Sequence, residues 1–343
     1  MSGSPRSRRT LRDAGEFGFI DAIRRAYGGA ERPGELGIGD DAALLPVHGR
    51  MVLSTDMLVE GTHFSLGYFR PGEIGVRALS SNLSDLAAMG ARPVAYLVAI
   101  AAPPDTPLDF LRSLYRGMAL AAAPAGMRLV GGDTVRGDRL TLSVTVVGET
   151  APGKALLRTG ARPGDLVVVT GEPGWSRLGL ALLFRGRPAR AGGWRREAMR
   201  RHLTPEARWR EGIAAAGSGA VSAMIDVSDG VLADLGHLAE TGPIGAQLDA
   251  AAFPMSMRFL LAAETLGEDP MAAFLSGGED YELLMAVPPK KLDRLRRALA
   301  PFRCGLAPIG RFTEAPGVVV VTPDGSRLSG TALPTGFRHF EPR

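Results

Sequence analysis

The chain has 343 residues, of which 45% are hydrophobic and 22% charged, a composition typical of a soluble globular protein with two domains. The net charge is only +4, and the arginines lack the interleaved aromatic residues of a nucleic-acid-binding stripe, so we expect no nucleic-acid partner. The longest apolar run, residues 94–102, is too short to cross a membrane. Because the single cysteine, Cys304, excludes an internal disulfide, we expect a cytoplasmic protein.

The first half of the chain alternates between predicted helices and strands. It follows a polar, basic segment, residues 1–13, which we expect to be a disordered tail. Helical spacing of apolar side chains and terminal glycines predict the helices, and short apolar runs predict the strands. The predicted helices cover residues 16–27, 71–89 and 108–123, and the predicted strands cover residues 51–54, 93–101, 128–130 and 140–147. This alternation indicates a layered α/β domain over residues 14–150.

The composition shifts to Gly, Pro and basic residues between residues 149 and 163, where we place the boundary to a second α/β domain, residues 151–343. The segment 185–201 is rich in arginine, and we interpret it as a solvated helix face that does not touch the motifs described below. The predicted strands of this domain cover residues 165–170, 221–225, 282–287 and 317–321, and its predicted helices cover residues 175–184, 206–216, 229–240, 255–263 and 290–299.

A cluster of acidic and hydroxyl residues carries the clearest chemical signal. Asp40 and Asp41 follow a glycine-containing turn, and Ser54, Thr55 and Asp56 follow soon after. Such a cluster is electrostatically unfavourable unless a cation lies within it. Mg²⁺ prefers oxygen ligands of this kind and usually binds together with substrate phosphates. The sequence therefore predicts a Mg²⁺-dependent phosphoryl-transfer site.

Further carboxylates follow apolar runs elsewhere in the chain. An Asp before a helix is most often an N-cap, and a lone Asp on a helix is most often solvated, so each motif alone has an ordinary explanation. Their repetition favours carboxylates that come from several strand ends and surround two or more metal ions at the transferred phosphate. The motifs are Leu83-Ser84-Asp85, Gly131-Gly132-Asp133-Thr134, Asp226-Val227-Ser228-Asp229-Gly230 and Ser276-Gly277-Gly278-Glu279-Asp280-Tyr281-Glu282.

His63 and two near-matches to nucleotide signatures are less specific. His63 lies close to Asp56 in sequence, and both a structural and a functional role stay open for it. Residues 148–155 have P-loop spacing, but Ala155 replaces the Ser or Thr that would bind Mg²⁺. Residues 37–42 match a degenerate Rossmann fingerprint, but two carboxylates would repel a pyrophosphate there unless a metal were present.

Together, these motifs resemble those of the thiamine-monophosphate kinases, which belong to the superfamily that includes aminoimidazole ribonucleotide synthetase. The resemblance covers residues 15–340, nearly the whole chain. The Leu83-Ser84-Asp85 motif is part of a longer match, residues 82–91. The resemblance also includes Gly37-Ile38-Gly39-Asp40-Asp41, Ser54-Thr55-Asp56, Gly61-Thr62-His63-Phe64 and Gly336-Phe337-Arg338-His339-Phe340.

The resemblance implies a two-domain, layered α/β fold of the aminoimidazole ribonucleotide synthetase type and a homodimer that pairs through its N-terminal sheets. It implies transfer of the γ-phosphoryl group of ATP to thiamine monophosphate with several Mg²⁺ ions. Asp56, Asp133 and Asp229 would be catalytic, ATP would contact Gly132, Asp133, Arg158 and Ser228, and the acceptor would contact His63, Glu279 and Phe337. The implied metal ligands are Asp41, Ser54, Thr55, Asp56, Asp85, Asp133, Asp226 and Asp229.

Two other functions are compatible with parts of this pattern. One is a different ATP-using enzyme of the superfamily, such as selenophosphate synthetase or a hydrogenase-maturation dehydratase. Those enzymes need a reactive Cys or selenocysteine near the N-terminus, or a Cys at the C-terminus, and Cys304 is in neither place. The other is a sensor that binds thiamine phosphate or nucleotide without turnover, which the sequence leaves open.

Overall fold

The computed structural model describes residues 9–28, 35–39, 42–46, 48–188, 190–240 and 244–334. These residues form two sheets and a set of surrounding helices, which confirms the predicted α/β class. The contacts divide the chain into two compact units. The first contains Met1–Asn82 and Pro93–Glu149, and the second contains Leu83–Arg92 and Thr150–Arg343. Among the helices of the described residues, none is both long and apolar enough to span a bilayer.

The first unit contains a four-stranded sheet with the strand order β1-β4-β2-β3. Strands β2 and β3 are parallel, and a register shift between Tyr96 and Leu97 leaves Val130 of β3 without a directly opposite residue. The strands are β1 (Arg50–Val59), β2 (Arg92–Ala102), β3 (Arg128–Arg136) and β4 (Thr141–Thr150). The helices are α1 (Leu11–Tyr27), α2 (Pro71–Ala88), of which this unit includes the residues up to Asn82, and α3 (Leu108–Ala122).

Apolar side chains at helical spacing account for the packing of this unit. Ile74 and Leu79 of α2 and Leu111 and Leu114 of α3 are fully buried. The predicted helices over residues 71–89 and 108–123 are thus confirmed. Helix α1 begins at Leu11, inside the segment that the sequence predicts to be a disordered tail, and residues 1–8 of that segment lie outside the described residues.

The second unit contains a seven-stranded mixed sheet with the order β11-β10-β7-β9-β5-β8-β6. Its strands are β5 (Leu166–Thr170), β6 (Ala223–Asp226), β7 (Gly245–Asp249), β8 (Leu283–Val287), β9 (Leu306–Thr313), β10 (Gly317–Val321) and β11 (Arg327–Ser329). Its helices are α4 (Trp175–Phe184), α5 (Gly193–Leu203), α6 (Trp209–Ser218), α7 (Val231–Ala239), α8 (Met257–Leu266), α9 (Pro270–Ser276) and α10 (Leu292–Leu299).

Helices cover both faces of this sheet. Val167 and Val169 of β5 belong to one buried cluster together with Leu235 of α7, whereas Val168 belongs to another together with Leu295 of α10. This alternation follows from the two-residue period of a strand, which directs successive side chains to opposite faces. A sheet buried on both faces explains why its central strands are continuous apolar runs in the sequence.

Several elements of the second unit differ from the sequence prediction. Strands β7, β9 and β11 and helix α9 are not among the predicted elements, and α5 was expected only as a solvated helix face without set bounds. Strand β9 contains Pro308 and Gly310, residues that weaken a strand pattern. The structure accommodates them at a register shift in the pairing with β5, where Val167 and Val168 lie opposite Gly310 and Pro308.

Candidate active site

Ser54, Thr55 and Asp56 all lie inside strand β1, which continues to Val59, beyond the predicted end at residue 54. Ser54 and Asp56 are half-buried, whereas Thr55 is exposed, as expected for neighbours on opposite faces of a strand. The Thr55 hydroxyl donates to the carbonyl oxygen of Val144 at 3.1 Å and accepts from the Thr145 hydroxyl at 3.0 Å. The side chain of Thr55 therefore does not join those of Ser54 and Asp56 on one face.

The backbone of Asp56 is held by helix α2. Its N–H donates to the side-chain oxygen of Asn82 at 3.0 Å, and the Asn82 amide nitrogen donates to the carbonyl oxygen of Ala78 at 2.9 Å. Asn82 is fully buried, so the loss of either bond would leave a buried polar group unsatisfied. Asn82 thus fixes the position of the Asp56 backbone.

Gly132 and Asp133 also lie within a strand, because β3 continues to Arg136 beyond the predicted end at residue 130. Gly132 has φ +155, and a Cβ there would lie 1.9 Å from the carbonyl oxygen of Val98, so only glycine fits directly before Asp133. Asp133 is exposed, and its Oδ1 accepts the N–H of Thr134 at 2.8 Å. Strands β1 and β3 are the two edges of the sheet, with β4 and β2 between Asp56 and Asp133.

His63 closes the turn that follows β1. Its Nδ1 accepts the backbone N–H of Val59 at 3.0 Å, and its own N–H donates to the Val59 carbonyl at 2.9 Å. With Nδ1 as acceptor, the neutral ring carries its proton on Nε2. His63 therefore has a structural role in this turn. Nε2–H is the hydrogen-bond donor of its ring, since Nδ1 is the acceptor.

The 226–230 turn connects β6 to α7 in the second unit. Asp226 is buried at the end of β6, and Ser228 and Asp229 are half-buried. Asp234, in the first turn of α7, accepts the N–H groups of Ser228, Asp229 and Gly230 through Oδ2 at 3.1, 3.2 and 3.1 Å. Sequence reasoning missed Asp234, because the helix was predicted to begin at residue 229 and Asp234 then lies beyond its first turn.

Negative charge accumulates around this turn. Burial, together with the nearby carboxylates of Asp226 and Asp229, raises the pKa of Asp234 to about 8. All the side-chain donors here are oxygens, and the mutual repulsion of the carboxylates would be relieved by a hard cation. The donor set therefore fits Mg²⁺ and would not favour a soft metal.

The 276–282 turn packs directly against the 226–230 turn. The N–H groups of Glu279 and Tyr281 donate to the carbonyl oxygens of Ser228 and Val227 at 2.6 and 2.8 Å, and the Val227 N–H donates to the Glu282 carbonyl at 2.8 Å. Glu279 and Tyr281 have φ angles of 65° and 54°, which are unfavourable for side chains with a Cβ. These bonds bring two motifs that are distant in sequence into one site.

Two buried carboxylates of the 276–282 turn, those of Asp280 and Glu282, connect the turn to neighbouring elements. Asp280 accepts the N–H groups of Gly174 and Ser176 at 2.6 and 3.0 Å at the start of α4, and burial raises its pKa to about 7. Glu282 is fully buried and accepts hydrogen bonds from the guanidinium groups of Arg201 and Arg208 and the hydroxyl of Thr170.

The interpretation of segment 185–201 as a face that does not touch the motifs is therefore wrong. Arg201 Nη1 donates to Glu282 Oε1 at 2.8 Å, and the Arg201 side chain is only 18% exposed. Several arginines of the segment are exposed, as a solvated face would require, but the last turn of α5 contacts the 276–282 turn. The sequence could not indicate this because the two partners are 81 residues apart.

Arg158 lies beside strand β6. It is exposed and directly follows Leu157, whose carbonyl oxygen accepts the N–H of Met224 at 3.0 Å. The second unit therefore brings Asp226, Ser228, Asp229 and Glu279 together around the end of β6, whereas Arg158 lies beside the middle of that strand. In the first unit, Ser54, Thr55 and Asp56 lie on β1, His63 lies in the turn after it, and Gly132 and Asp133 lie on β3.

Three further residues were predicted to belong to the site, Asp41, Asp85 and Phe337. Asp85 is half-buried on α2, and Asp41 and Phe337 lie outside the described residues. Among the residues that the structure describes, no three or more His, Cys, Asp or Glu side chains form a group that could hold a metal ion. The metal-ligand assignments, Asp41 among them, therefore stay predictions.

Comparison with known proteins identifies the family. Residues 39–150 match the N-terminal domain of AIR synthase related proteins, and residues 162–322 match their C-terminal domain. The thiamine-monophosphate kinase of Mycobacterium tuberculosis is 41% identical, over 96% of this chain and 93% of that protein.

Solved structures agree in fold. The crystal structure of a thiamine-monophosphate kinase from Stenotrophomonas maltophilia K279a has a TM-score of 0.77 at 36% identity and covers 90% of this chain and 95% of its own. The structure of AaThiL complexed with AMPPCP and TMP has a TM-score of 0.74 at 31% identity and covers 99% of this chain and 100% of its own. The chain belongs to the thiamine-monophosphate kinase family of AIR synthase related proteins.

Proposed function

We propose that this protein transfers the γ-phosphoryl group of ATP to thiamine monophosphate, with thiamine diphosphate and ADP as products. The observation that carries the proposal is the hydrogen-bonded pairing of the 226–230 and 276–282 turns. Through it, Glu279, proposed to contact the acceptor, lies next to Ser228 and Asp229, proposed to contact ATP and metal. A related structure that was solved with AMPPCP and TMP supports the same pair of ligands.

The chemistry does not require a general base. The acceptor is a phosphate monoester, whose second pKa of about 6 leaves it largely ionised at neutral pH. The main barrier is the repulsion between two anions that must meet in line. The site is therefore expected to act by positioning and by neutralising charge, which agrees with its many carboxylates and the lack of a proposed His–Asp pair.

Each group of residues has a part in that positioning. Several Mg²⁺ ions would be held by the proposed ligands Asp41, Ser54, Thr55, Asp56, Asp85, Asp133, Asp226 and Asp229. When bound, these ions would neutralise the phosphate oxygens. Ser228, Gly132 and Arg158 would hold the triphosphate of ATP.

The acceptor would be recognised by its charge and its rings. Glu279 offers a carboxylate to the cationic thiazolium ring, and Phe337 offers an aromatic face. His63 would donate from Nε2, the nitrogen left as donor when Nδ1 accepts from Val59.

The reaction would take place in the cytoplasm, where ATP is available.

We also propose a homodimer that pairs through the sheet of the first unit. Met51, Leu53 and Met57 alternate along the edge strand β1 and are 50%, 60% and 56% exposed, respectively. An apolar stripe on an edge strand is a usual site of protein association. Leu53→Glu would yield a monomer in light scattering if this stripe forms the interface, and an unchanged mass would contradict it.

The proposed reaction is tested by incubating the purified protein with ATP, Mg²⁺ and thiamine monophosphate and detecting products by mass spectrometry. The kinase produces thiamine diphosphate, and a chelator that removes Mg²⁺ stops it. A sensor would bind thiamine monophosphate without forming this product. Turnover that is unaffected by chelator would contradict the role assigned to the carboxylates.

A further inference from the structure

The carboxyl end of α5 contacts the 276–282 turn through two consecutive residues. Arg201 donates to the buried carboxylate of Glu282 at 2.8 Å. His202 Nδ1 lies 3.8 Å from Glu279 Oε2, within ion-pair distance but too far for a hydrogen bond. His202 is buried, with only 2% of its surface exposed. One end of a single helix thus reaches both acidic ends of the Glu279–Glu282 segment.

His202 also connects this segment to α4. Its Nδ1 lies 3.1 Å from the hydroxyl oxygen of Ser176, and the Ser176 N–H donates to Asp280 Oδ1 at 3.0 Å. The imidazole therefore lies between the start of α4 and the Glu279 carboxylate. The contact depends on both helices, so it is more than a surface contact of one flexible side chain.

The backbone of this segment needs such support. Glu279 and Tyr281 both have positive φ angles, a conformation that is unfavourable for residues with a Cβ unless the surroundings hold it. Glu282 is fully buried, and its two guanidinium partners have fixed fork geometry. Loss of one partner of a buried ion pair leaves an uncompensated charge, so the pair defines one arrangement of the segment.

We propose that Arg201 and His202 are positioning residues for the acceptor site, which hold the Glu279 carboxylate where it meets the acceptor. Arg201 acts through Glu282, and His202 acts on Glu279 itself. The inference rests on the proposed function for the identity of the acceptor, thiamine monophosphate. It assigns to the end of α5 a role in acceptor selectivity that is separate from metal and ATP binding.

The first experiment tests the contact itself and does not depend on activity. Hydrogen–deuterium exchange is measured on peptides covering residues 277–282 in the ligand-free protein. His202→Leu and Arg201→Met should raise exchange at the amides of Glu279 and Tyr281 at least tenfold, because their bonds to Ser228 and Val227 lose support. Arg200→Ala is the matched control, since Arg200 is the neighbour on α5 that pairs with Glu197 and Glu206.

The second experiment measures KM for thiamine monophosphate and for ATP separately. We expect His202→Leu to raise KM for thiamine monophosphate about tenfold and to change KM for ATP less than twofold. His202→Gln should partly restore the acceptor KM, because its amide can still contact Ser176 and Glu279. Where His202→Leu or Arg201→Met fails to fold, His202→Gln and Arg201→Lys are measured, with smaller effects in the same direction expected.

The outcomes separate this inference from the proposed function. Unchanged exchange over residues 277–282 in the folded variants overturns the inference, whatever the activity. A lowered melting temperature with equal changes in both KM values also overturns it, because that is the result of a merely structural role. Failure of the unmodified protein to phosphorylate thiamine monophosphate refutes the proposed function, and with it the acceptor role inferred here. The exchange result still decides whether α5 holds the 276–282 turn in place.

Discussion

The backbone N–H of Glu279 donates to the carbonyl oxygen of Ser228 at 2.6 Å. This bond joins a residue proposed to bind the acceptor to one proposed to bind ATP. Gly278, next to Glu279, makes the approach possible, since a Cβ there would lie 2.6 Å from the same carbonyl oxygen. A displacement of either turn would therefore move both proposed contacts at once, and in-line transfer between two anions depends on their relative position.

The strain at Glu279 can be separated from the function of its carboxylate. Glu279→Gly and Glu279→Ala both remove the carboxylate, but only glycine relieves the positive φ angle of 65°. We expect the glycine variant to have an unfolding free energy about 1 kcal/mol higher than the alanine variant in urea denaturation. Both variants should show the same rise in KM for thiamine monophosphate.

Arg303 provides the control for this pair. It has a similar φ angle of 53° but lies outside the proposed site. Arg303→Gly should likewise be more stable than Arg303→Ala by about 1 kcal/mol, with both KM values unchanged. A selective rise in the acceptor KM at Arg303, or none at Glu279, would contradict the role assigned to Glu279.

Asp56 and Asp133 are expected to be essential for turnover but not for folding. Asp56→Asn and Asp133→Asn keep the size of the side chain and remove its charge, so that each should lower kcat by at least about 100-fold with little change in melting temperature. Asp133→Asn retains an oxygen that can accept the Thr134 N–H. Asp138→Asn, an exposed neighbour beyond β3, is the control and should leave kcat unchanged. Near-normal kcat in both variants would refute their assignment as metal ligands.

Gly132 should tolerate no side chain. Gly132→Ala would place a methyl group 1.9 Å from the backbone oxygen of Val98 and force β2 and β3 apart, with an expected cost of about 3 kcal/mol in urea unfolding. Gly131→Ala is the matched comparison, because its Cβ would lie 3.1 Å from Leu97 Cδ2, the end of a flexible side chain. We expect it to cost about 1 kcal/mol. Equal stability of the two variants would show that β3 can shift to accept the methyl group.

The buried Asp280 should make stability depend on pH. Burial raises its pKa from the ordinary 3.8 to about 7, so between these values the folded protein keeps a proton that the unfolded chain has lost. The contribution of this group to the unfolding free energy is fully present below about pH 4 and falls as pH rises toward 7, by up to about 1.4 kcal/mol per pH unit. Asp280→Asn should flatten this dependence when urea unfolding is measured between pH 5 and 8.

Asp324 supplies the comparison for Asp280. A hydrogen bond from Thr322 holds the pKa of this exposed carboxyl below its ordinary value, so its contribution to stability changes only in acid. The unfolding free energy of Asp324→Asn should therefore change with pH between pH 5 and 8 as steeply as that of the parent protein. An equal slope in parent and Asp280→Asn would show that Asp280 is ionised throughout this range.

Local patterns in the sequence predicted much of the fold. Leucines and alanines at helical spacing defined α2 and α3, and the apolar runs around residues 165–170 and 282–287 defined β5 and β8. Strand β9 was missed because Pro308 and Gly310 interrupt its pattern, and only pairing with β5 stabilises it. Segment 185–201 was interpreted as a solvated helix face because the arginines of α5 obscure its few buried positions, Ala198, His202 and Leu203.

The residue types of the site could be predicted, but their partners could not. Motif resemblance selected Ser228, Asp229 and Glu279, and the structure brings them together. Asp234 was missed because it acts through backbone N–H groups, which leave no pattern of their own. The pair of Arg201 and Glu282 depends on tertiary packing across 81 residues, which no local pattern contains.

The most direct test of the central claim follows the terminal phosphate. ATP that carries ¹⁸O in its γ-phosphoryl group is incubated with the protein, Mg²⁺ and thiamine monophosphate, and the products are weighed by mass spectrometry. Direct transfer predicts one ADP for each thiamine diphosphate formed, with the label in the terminal phosphate of thiamine diphosphate. Label found only in inorganic phosphate, with thiamine monophosphate unchanged, would contradict it.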